Sequence, residues 1–158
     1  MSRPNMSNPR HRIVLARCLI AGWLLTLPLP ALTFGHGAPT SGLFQLLFGW
    51  FGTMAFQFGW YANLVLPFVL IMMTSYFPAV RPLKIASILL GLFALSTLDL
   101  FLRPDYHGVV TAHAGYFLWM GVCLIGALAG FLSARTLTPV AASPVTSKAS
   151  SHEPVRPH

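Results

Sequence analysis

The sequence predicts an all-α integral membrane protein: a four-helix bundle with an additional interfacial or re-entrant helix between the first and second spans. Hydrophobic residues make up 55% of the 158 residues and charged residues only 8%, whereas a soluble domain carries about 25% charged residues. Uncharged apolar runs recur at lengths suited to crossing a lipid bilayer. The basic residues lie at the ends of these runs, as they do around membrane spans.

The first predicted span covers residues 13–34 and follows a basic cytoplasmic arm, residues 1–12. Arg17 lies about one turn inside the span, from where a long side chain reaches the headgroups. Pro28 and Pro30 should bend or end this helix towards its far side. Because no clean small-x-small cleavage site follows the apolar run, we interpret it as an uncleaved signal anchor.

An apolar segment rich in aromatic residues follows the loop "GHGAPTSG". It contains Gly49 and Gly52, and together with the second span it is too long for a single crossing. We therefore predict an interfacial or re-entrant helix over residues 43–56 at the outer face of the membrane. The alternative is a long, tilted second span that protrudes from the bilayer.

The remaining spans are predicted over residues 58–77, 85–102 and 113–134, so the membrane domain covers residues 13–135. "PAVRPLK" and "RPDYHGVVTA" should form the loops between them. Asn63, in the first turn of the second span, either bonds a neighbouring helix or faces a cavity. Residues 136–158 are rich in Pro, Ser and Thr, which is typical of a disordered tail.

The distribution of charge predicts the orientation. With four spans, nine of the ten basic residues fall on one side of the membrane, and only Arg103 falls on the other. The positive-inside rule therefore predicts that both termini are cytoplasmic. The same distribution explains the net charge of +7 without nucleic acid, since no basic stripe interleaved with aromatics is present.

Small residues predict where the third and fourth spans meet. Ser87 and Gly91 share a four-residue spacing with Gly126 and Gly130, a pattern that lets helices approach closely in lipid. Both pairs fall in the cytoplasmic half of an antiparallel hairpin, so we expect them to face each other. A dimer interface is the alternative.

Polar residues gather in the predicted outer layer. Asp99 and Arg103 are four residues apart, which predicts a structural ion pair as the third span leaves the bilayer. His36, His107 and His113, with Asp105, are candidate ligands for copper or zinc. His36 and His113 flank different spans, so they are also candidates for clamping a haem.

Two stretches carry a resemblance to a known group of proteins. "GWYAN", which opens the second span, and "HAGYFLWMGVCLIGALAGFL", in the fourth, resemble small uncharacterised bacterial four-helix inner-membrane proteins. The resemblance implies a multi-pass protein of the bacterial inner membrane with a compact hairpin fold. It implies no activity and no catalytic residues.

These observations favour a protein without enzymatic activity, since the usual catalytic and cofactor motifs are absent from the sequence. The first hypothesis is an accessory or immunity-type protein that binds a membrane or periplasmic protein through its aromatic segment and needs no cofactor. The second is a metal or haem protein. The third is a small transporter or channel subunit in which Asn63, Ser96 and Thr97 line a path. The sequence leaves the oligomeric state open.

Overall fold

The computed structural model describes residues 9–51, 58–75, 79–102 and 110–137, and these parts of the chain are mostly helical. The helices are α1 (Pro9–Thr26), α2 (Gly42–Phe48), α3 (Ala62–Thr74), α4 (Val80–Ser96), α5 (Asp99–Leu102) and α6 (Ala114–Leu137). A 3₁₀ turn, Gly59–Tyr61, leads directly into α3. Three short strands also form: β1 (Pro30–Phe34), β2 (Thr40–Ser41) and β3 (Val110–Ala112).

Two helical segments within the described ranges are long and apolar enough to cross a membrane. One is Val80–Leu102, 23 residues that include α4 and α5, and the other is α6, with 24 residues. The protein itself buries only 22% and 39% of their most apolar stretches. Most of each stretch is therefore left at the surface of the chain. The apolar helix Gly59–Thr74 is shorter.

Helices α1, α3, α4 and α6 enclose one apolar core, and the most extensive contact is between α4 and α6. Small residues allow this contact. A Cβ atom added to Gly130 would collide with the Ser87 hydroxyl, and one added to Gly126 would lie 2.9 Å from Leu66 Cδ1. Gly91 lies near Ala127, 3.6 Å away by the same measure. All four small residues named from the sequence thus lie at contacts within the chain.

A three-stranded antiparallel sheet, in the order β2-β1-β3, joins the end of α1 to the start of α6. Leu32 pairs with Ala112, and Phe34 pairs with Val110. The sequence pattern does not predict this sheet, since it predicts a helical first span over residues 13–34. The helix ends at Thr26 instead, since Pro28 and Pro30 lack the N–H group that a continuing helix needs.

The third predicted span, residues 85–102, also differs from the structure. Helix α4 starts at Val80, so Arg81 and Lys84 lie in a helix and not in a loop. Pro82 is tolerated there because N–H groups in the first turn have no partner within the helix. At the other end, the Thr97 hydroxyl bonds the carbonyl of Ala94 (2.6 Å), and α5 forms a separate short helix.

Smaller differences affect the other predicted elements. The second span, residues 58–77, is realised as the 3₁₀ turn and α3, and residues 76–78 lie outside the described parts. The fourth span, residues 113–134, is realised as α6, which continues to Leu137. Helix α2 covers the first half of the predicted segment 43–56, with Ser41 as its N-cap. Residues 52–57 and the tail beyond 137 are not among the described residues.

Candidate functional site

A cavity of about 370 Å³ lies where the sheet and α2 meet the ends of the other helices. Small-molecule sites usually occupy about 300–1,000 Å³ and combine an apolar wall with a few placed polar groups. This cavity has that character. Its aromatic lining includes Trp23, Trp60, Tyr116 and Trp119, and its hydrogen-bonding side chains include Asn63 and Thr97.

The side chain of Asn63 joins three helices at the cavity. Its carbonyl oxygen accepts hydrogen bonds from the indole nitrogens of Trp23 in α1 (3.1 Å) and Trp119 in α6 (2.8 Å). Because an indole N–H can only donate, these two bonds fix which end of the amide is the oxygen. Among the described residues, the amide NH₂ group of Asn63 makes no hydrogen bond. It therefore offers two donors to a molecule in the cavity.

A second polar pair lies on the same wall. The hydroxyl of Thr97 lies 2.9 Å from the phenol oxygen of Tyr116. Thr97 already gives its one proton to the carbonyl of Ala94, so Tyr116 is the donor in this bond. The phenol oxygen keeps lone pairs that can accept a hydrogen bond from a ligand. The Tyr116 ring is buried, and it contacts Phe101 edge-on at 5.4 Å between ring centres.

A close backbone approach positions these groups. Gly59 opens the 3₁₀ turn before α3, and a Cβ atom at this position would collide with the Thr97 side chain. Only glycine lets the turn come this close to the end of α4. The following residues of the turn and of α3, including Trp60 and Asn63, are thereby brought to the cavity wall.

Hydrogen bonds hold helix α2 in place over the cavity. The indole nitrogen of Trp60 donates to the carbonyl of Leu46 (2.8 Å). The Gln45 amide donates to the Thr40 hydroxyl (2.9 Å), which donates in turn to the Leu32 carbonyl in β1 (2.7 Å). These bonds connect α2 to both the turn before α3 and the sheet, so the wall that α2 contributes has a defined position.

The residues predicted as metal or haem ligands do not assemble in the described parts of the chain. His36 is exposed in the turn after β1, whereas His113 directly precedes α6 and bonds the Thr33 hydroxyl through Nε2 (2.7 Å). The strand register places these two histidines at opposite ends of the β1–β3 pairing. His107 and Asp105 lie outside the described residues. Within those residues, no group of three or more His, Cys, Asp or Glu side chains is arranged to hold a metal ion.

The other polar residues named from the sequence separate into two groups. Asn63 and Thr97, proposed to line a path, both line the cavity, but Ser96 bonds the carbonyl of Phe93 (2.7 Å). Asp99 begins α5. Its predicted partner, Arg103, lies outside the described residues, so that ion pair stays a prediction.

Sequence reasoning missed the part that the indoles play. From the sequence, no role at a site was expected for Tyr116, Trp119 or Trp23. Their depth was only a partial signal. Asn63 and Trp119 each lie near the outer start of their predicted spans, but Trp23 lies at the middle of the predicted span 13–34. It reaches the level of the other two because α1 ends at Thr26.

Comparison of the chain with protein-family models, with curated proteins and with solved structures found no match. The resemblance to small bacterial inner-membrane proteins therefore stays a prediction, and the function is argued from the geometry.

Proposed function

We propose that this chain is a multi-pass membrane protein whose cavity binds a small, mainly apolar molecule that carries hydrogen-bonding groups. In this proposal α1, α3, α4 with α5, and α6 are four spanning segments, and the sheet lies at the outer face of a bacterial inner membrane. The function is binding without catalysis. The observation that carries the proposal is the Asn63 amide, which two indoles hold at the cavity wall.

The surfaces of the four helices support membrane placement. Each exposes large apolar side chains: Leu24 (50% exposed), Ile71 (65%), Ile85 (59%) and Leu128 (59%) are examples from α1, α3, α4 and α6. Exposure of apolar surface to water is unfavourable by about 25 cal/mol per Å². Lipid chains around the bundle would remove this penalty for all four helices at once.

The basic residues support the orientation. Gly22 of α1 lies against Val122 of α6, and Ser87 of α4 lies against Gly130 of α6, so α1 and α4 both run antiparallel to α6. The starts of α1 and α4 and the end of α6 are therefore at one end of the bundle. Every Lys and Arg in the described ranges lies in the first half of α1, at the start of α4 or at the end of α6: Arg10, Arg12, Arg17, Arg81, Lys84 and Arg135. This arrangement favours a cytoplasmic location for that end.

The chemistry of the lining favours binding over acid–base catalysis. Its described residues include amides, hydroxyls, a phenol and indoles, and they include no His, Cys, Asp, Glu, Lys or Arg. Such groups donate and accept hydrogen bonds without changing protonation near neutral pH. A fitting ligand has an apolar body for the aromatic wall, an acceptor for the Asn63 amide and a donor for the Tyr116 oxygen.

A brominated phenol tests this proposal, because bromine quenches indole fluorescence and three of the four tryptophans line the cavity. We expect saturable quenching of the purified protein in detergent. Asn63→Leu should raise the half-saturating concentration about tenfold, the equivalent of one lost hydrogen bond. Tyr116→Phe, which keeps the ring, should raise it less.

The matched control is Leu64→Ala, which changes an exposed neighbour of Asn63 on α3 that does not line the cavity. It should leave the titration unchanged. Quenching that rises linearly, with the same slope in all four proteins, would show only partition of the phenol into detergent and would contradict the proposal.

A second candidate function is the binding of another membrane or periplasmic protein. The observation that favours it is the exposed apolar surface of α2. Leu47 is 57% exposed, and Phe44 and Phe48, which also line the cavity, are each about half exposed. Trp50 and Phe51 continue this surface. An ordered patch of large apolar residues at the edge of a bundle is typical of a docking surface.

A further inference from the structure

Arg12 is buried at the basic end of the bundle, in the first turns of α1, and is only 7% exposed. Among the described residues, its Nε and Nη1 atoms have no hydrogen-bond partner. A guanidinium group stays charged at any ordinary pH. A buried charge without a partner is strongly unfavourable, so buried charges in proteins are normally paired.

Within the described parts of the chain, Ser133 is the other residue with a buried side-chain polar atom that lacks a hydrogen bond. It is fully buried in α6, and the unpartnered atom is its hydroxyl oxygen. The contacts between α1 and α6 place it level with Arg12. Gly22 lies against Val122, and Leu19 lies 3.9 Å from the position of a Cβ on Gly126. Continuing this antiparallel register brings position 12 opposite position 133.

The same end of the bundle carries other positive charges. Lys84 and Arg135 both lie over the ring of Phe131, at 5.7 Å and 4.7 Å from its centre. The one acidic residue among the described residues, Asp99, begins α5, beyond the opposite end of α4. An anion at Arg12 would therefore meet unsatisfied donors in a region of positive potential.

We propose that Arg12 and Ser133 form a binding site for a phosphate oxyanion, resting on the membrane placement proposed above. A phosphate group has the geometry that guanidinium donors fit, and it can also accept a hydrogen bond from a serine hydroxyl. The cytoplasmic leaflet supplies such groups as anionic phospholipid headgroups. Free phosphate offers the same chemistry from the cytoplasm.

A groove on the adjacent face of α1 favours the lipid as the source. It has a volume of about 540 Å³ and runs between α1 and α3, from Ile13 and Thr74 to Trp23 and Leu66. Its walls are mainly apolar, Arg17 is its one charged lining residue, and its lining on α1 starts one residue after Arg12. A headgroup at Arg12 would thus have a path for one of its acyl chains along the bundle.

Thermal unfolding of the full chain in a neutral detergent tests the site. Short-chain phosphatidylglycerol, phosphatidylcholine of the same chain length and inorganic phosphate are titrated separately. We expect phosphatidylglycerol to raise the unfolding midpoint saturably by about 3–8 °C. Phosphatidylcholine has the same phosphate but also a choline cation, so it should raise the midpoint less at this positive end of the bundle. A matching rise with inorganic phosphate would identify free phosphate as a sufficient ligand.

Variants identify the residues responsible. Arg12→Gln should abolish the rise, and without an anion it should unfold at or above the wild-type temperature, because an unpaired buried charge has been removed. Ser133→Ala should weaken the response. Arg135→Gln, which removes an exposed charge at the same end, should retain it.

Two results would overturn the site: a wild-type protein that responds to neither anion, or an Arg12→Gln protein that responds as the wild type does. Loss of stability in Glu153→Gln, together with no response of the wild type to added anions, would assign the counter-charge to the tail and overturn it also.

Fractionation of cells is done first. A chain that stays in the soluble fraction contradicts the membrane placement, whereas a membrane-bound chain without a response contradicts only this site.

Discussion

Asn63 has two roles that the sequence presented as alternatives. Its oxygen satisfies the indole N–H groups of Trp23 and Trp119, which is a structural role, and its side chain also lines the cavity. The two roles are compatible because an amide has an acceptor end and a donor end. A sequence pattern shows that a polar residue lies within a span, but it does not show how many neighbouring side chains hydrogen-bond to that residue.

We expect Asn63→Ala to lower the free energy of unfolding by about 1–3 kcal/mol, since two partly buried indole donors lose their acceptor. Denaturant unfolding in detergent, followed by far-ultraviolet circular dichroism, measures the change. Trp23→Phe removes one of the donors, so the double variant should lose less than the sum of the two single changes. Strictly additive losses would show that the indoles are not coupled through Asn63.

At the scale of the elements, the exposed apolar surface of α2 is the feature that the sequence predicts least completely. Its sequence predicts an interfacial or re-entrant helix, and the described half of that segment is a short helix held by Trp60 and Gln45. Its exposed face is suited either to the lipid interface or to another protein. At the lipid interface, Leu47 contacts lipid, whereas in a complex it contacts another protein.

A photo-crosslinking residue at position 47 separates them. If α2 docks a partner, irradiation of the cells that produce the protein should give one discrete heavier band. A probe at Leu102, which is 73% exposed on the short helix α5, is the control and should give no such band. Absence of any protein adduct from position 47, with the probe shown to react, would assign this face to lipid.

The helices were predictable because an apolar run long enough to cross a bilayer forms few structures other than a helix. The strands were not, since two to five residues are too few to show an alternating pattern and their partners are far away in the chain. Proline marked the end of α1 in advance, but it gave no indication that residues 30–34 would pair with residues near 110. Only the fold brings those segments together.

At the scale of the whole molecule, the strongest prediction from the sequence is the orientation in the membrane, which follows from the distribution of the basic residues. The test uses single cysteines in a chain that carries Cys18→Ser and Cys123→Ala. His36→Cys, in the exposed turn after β1, should react with a membrane-impermeant thiol reagent in intact spheroplasts. Arg135→Cys, at the end of α6, should react only after the membrane is permeabilised.

Labelling of both positions in intact spheroplasts would contradict four spans with cytoplasmic termini, as would the reverse pattern. An odd number of crossings would also place His36 and Arg135 differently from this expectation. The result does not depend on any ligand, so it tests the architecture separately from the cavity.

At this scale the site was less predictable than the bundle. The histidines and acids around residues 99–113 are the conspicuous candidates in the sequence, because charged groups are rare in an apolar chain. The cavity instead uses neutral side chains, whose importance comes from being at one depth on different helices. A single Trp or Asn has no distinctive spacing, so its contribution appears only after α1, α3 and α6 are assembled.

The pairing of β1 with β3 has a consequence for biosynthesis. Thr33 and His113, which join the two strands, are 80 residues apart in the chain, so β1 leaves the ribosome long before its partner. Closing so large a loop is slow and becomes favourable only when the intervening helices are in place. A nascent chain that stops before residue 110 therefore has β1 without its β3 partner, and it also lacks the α6 residues Tyr116 and Trp119 of the cavity wall.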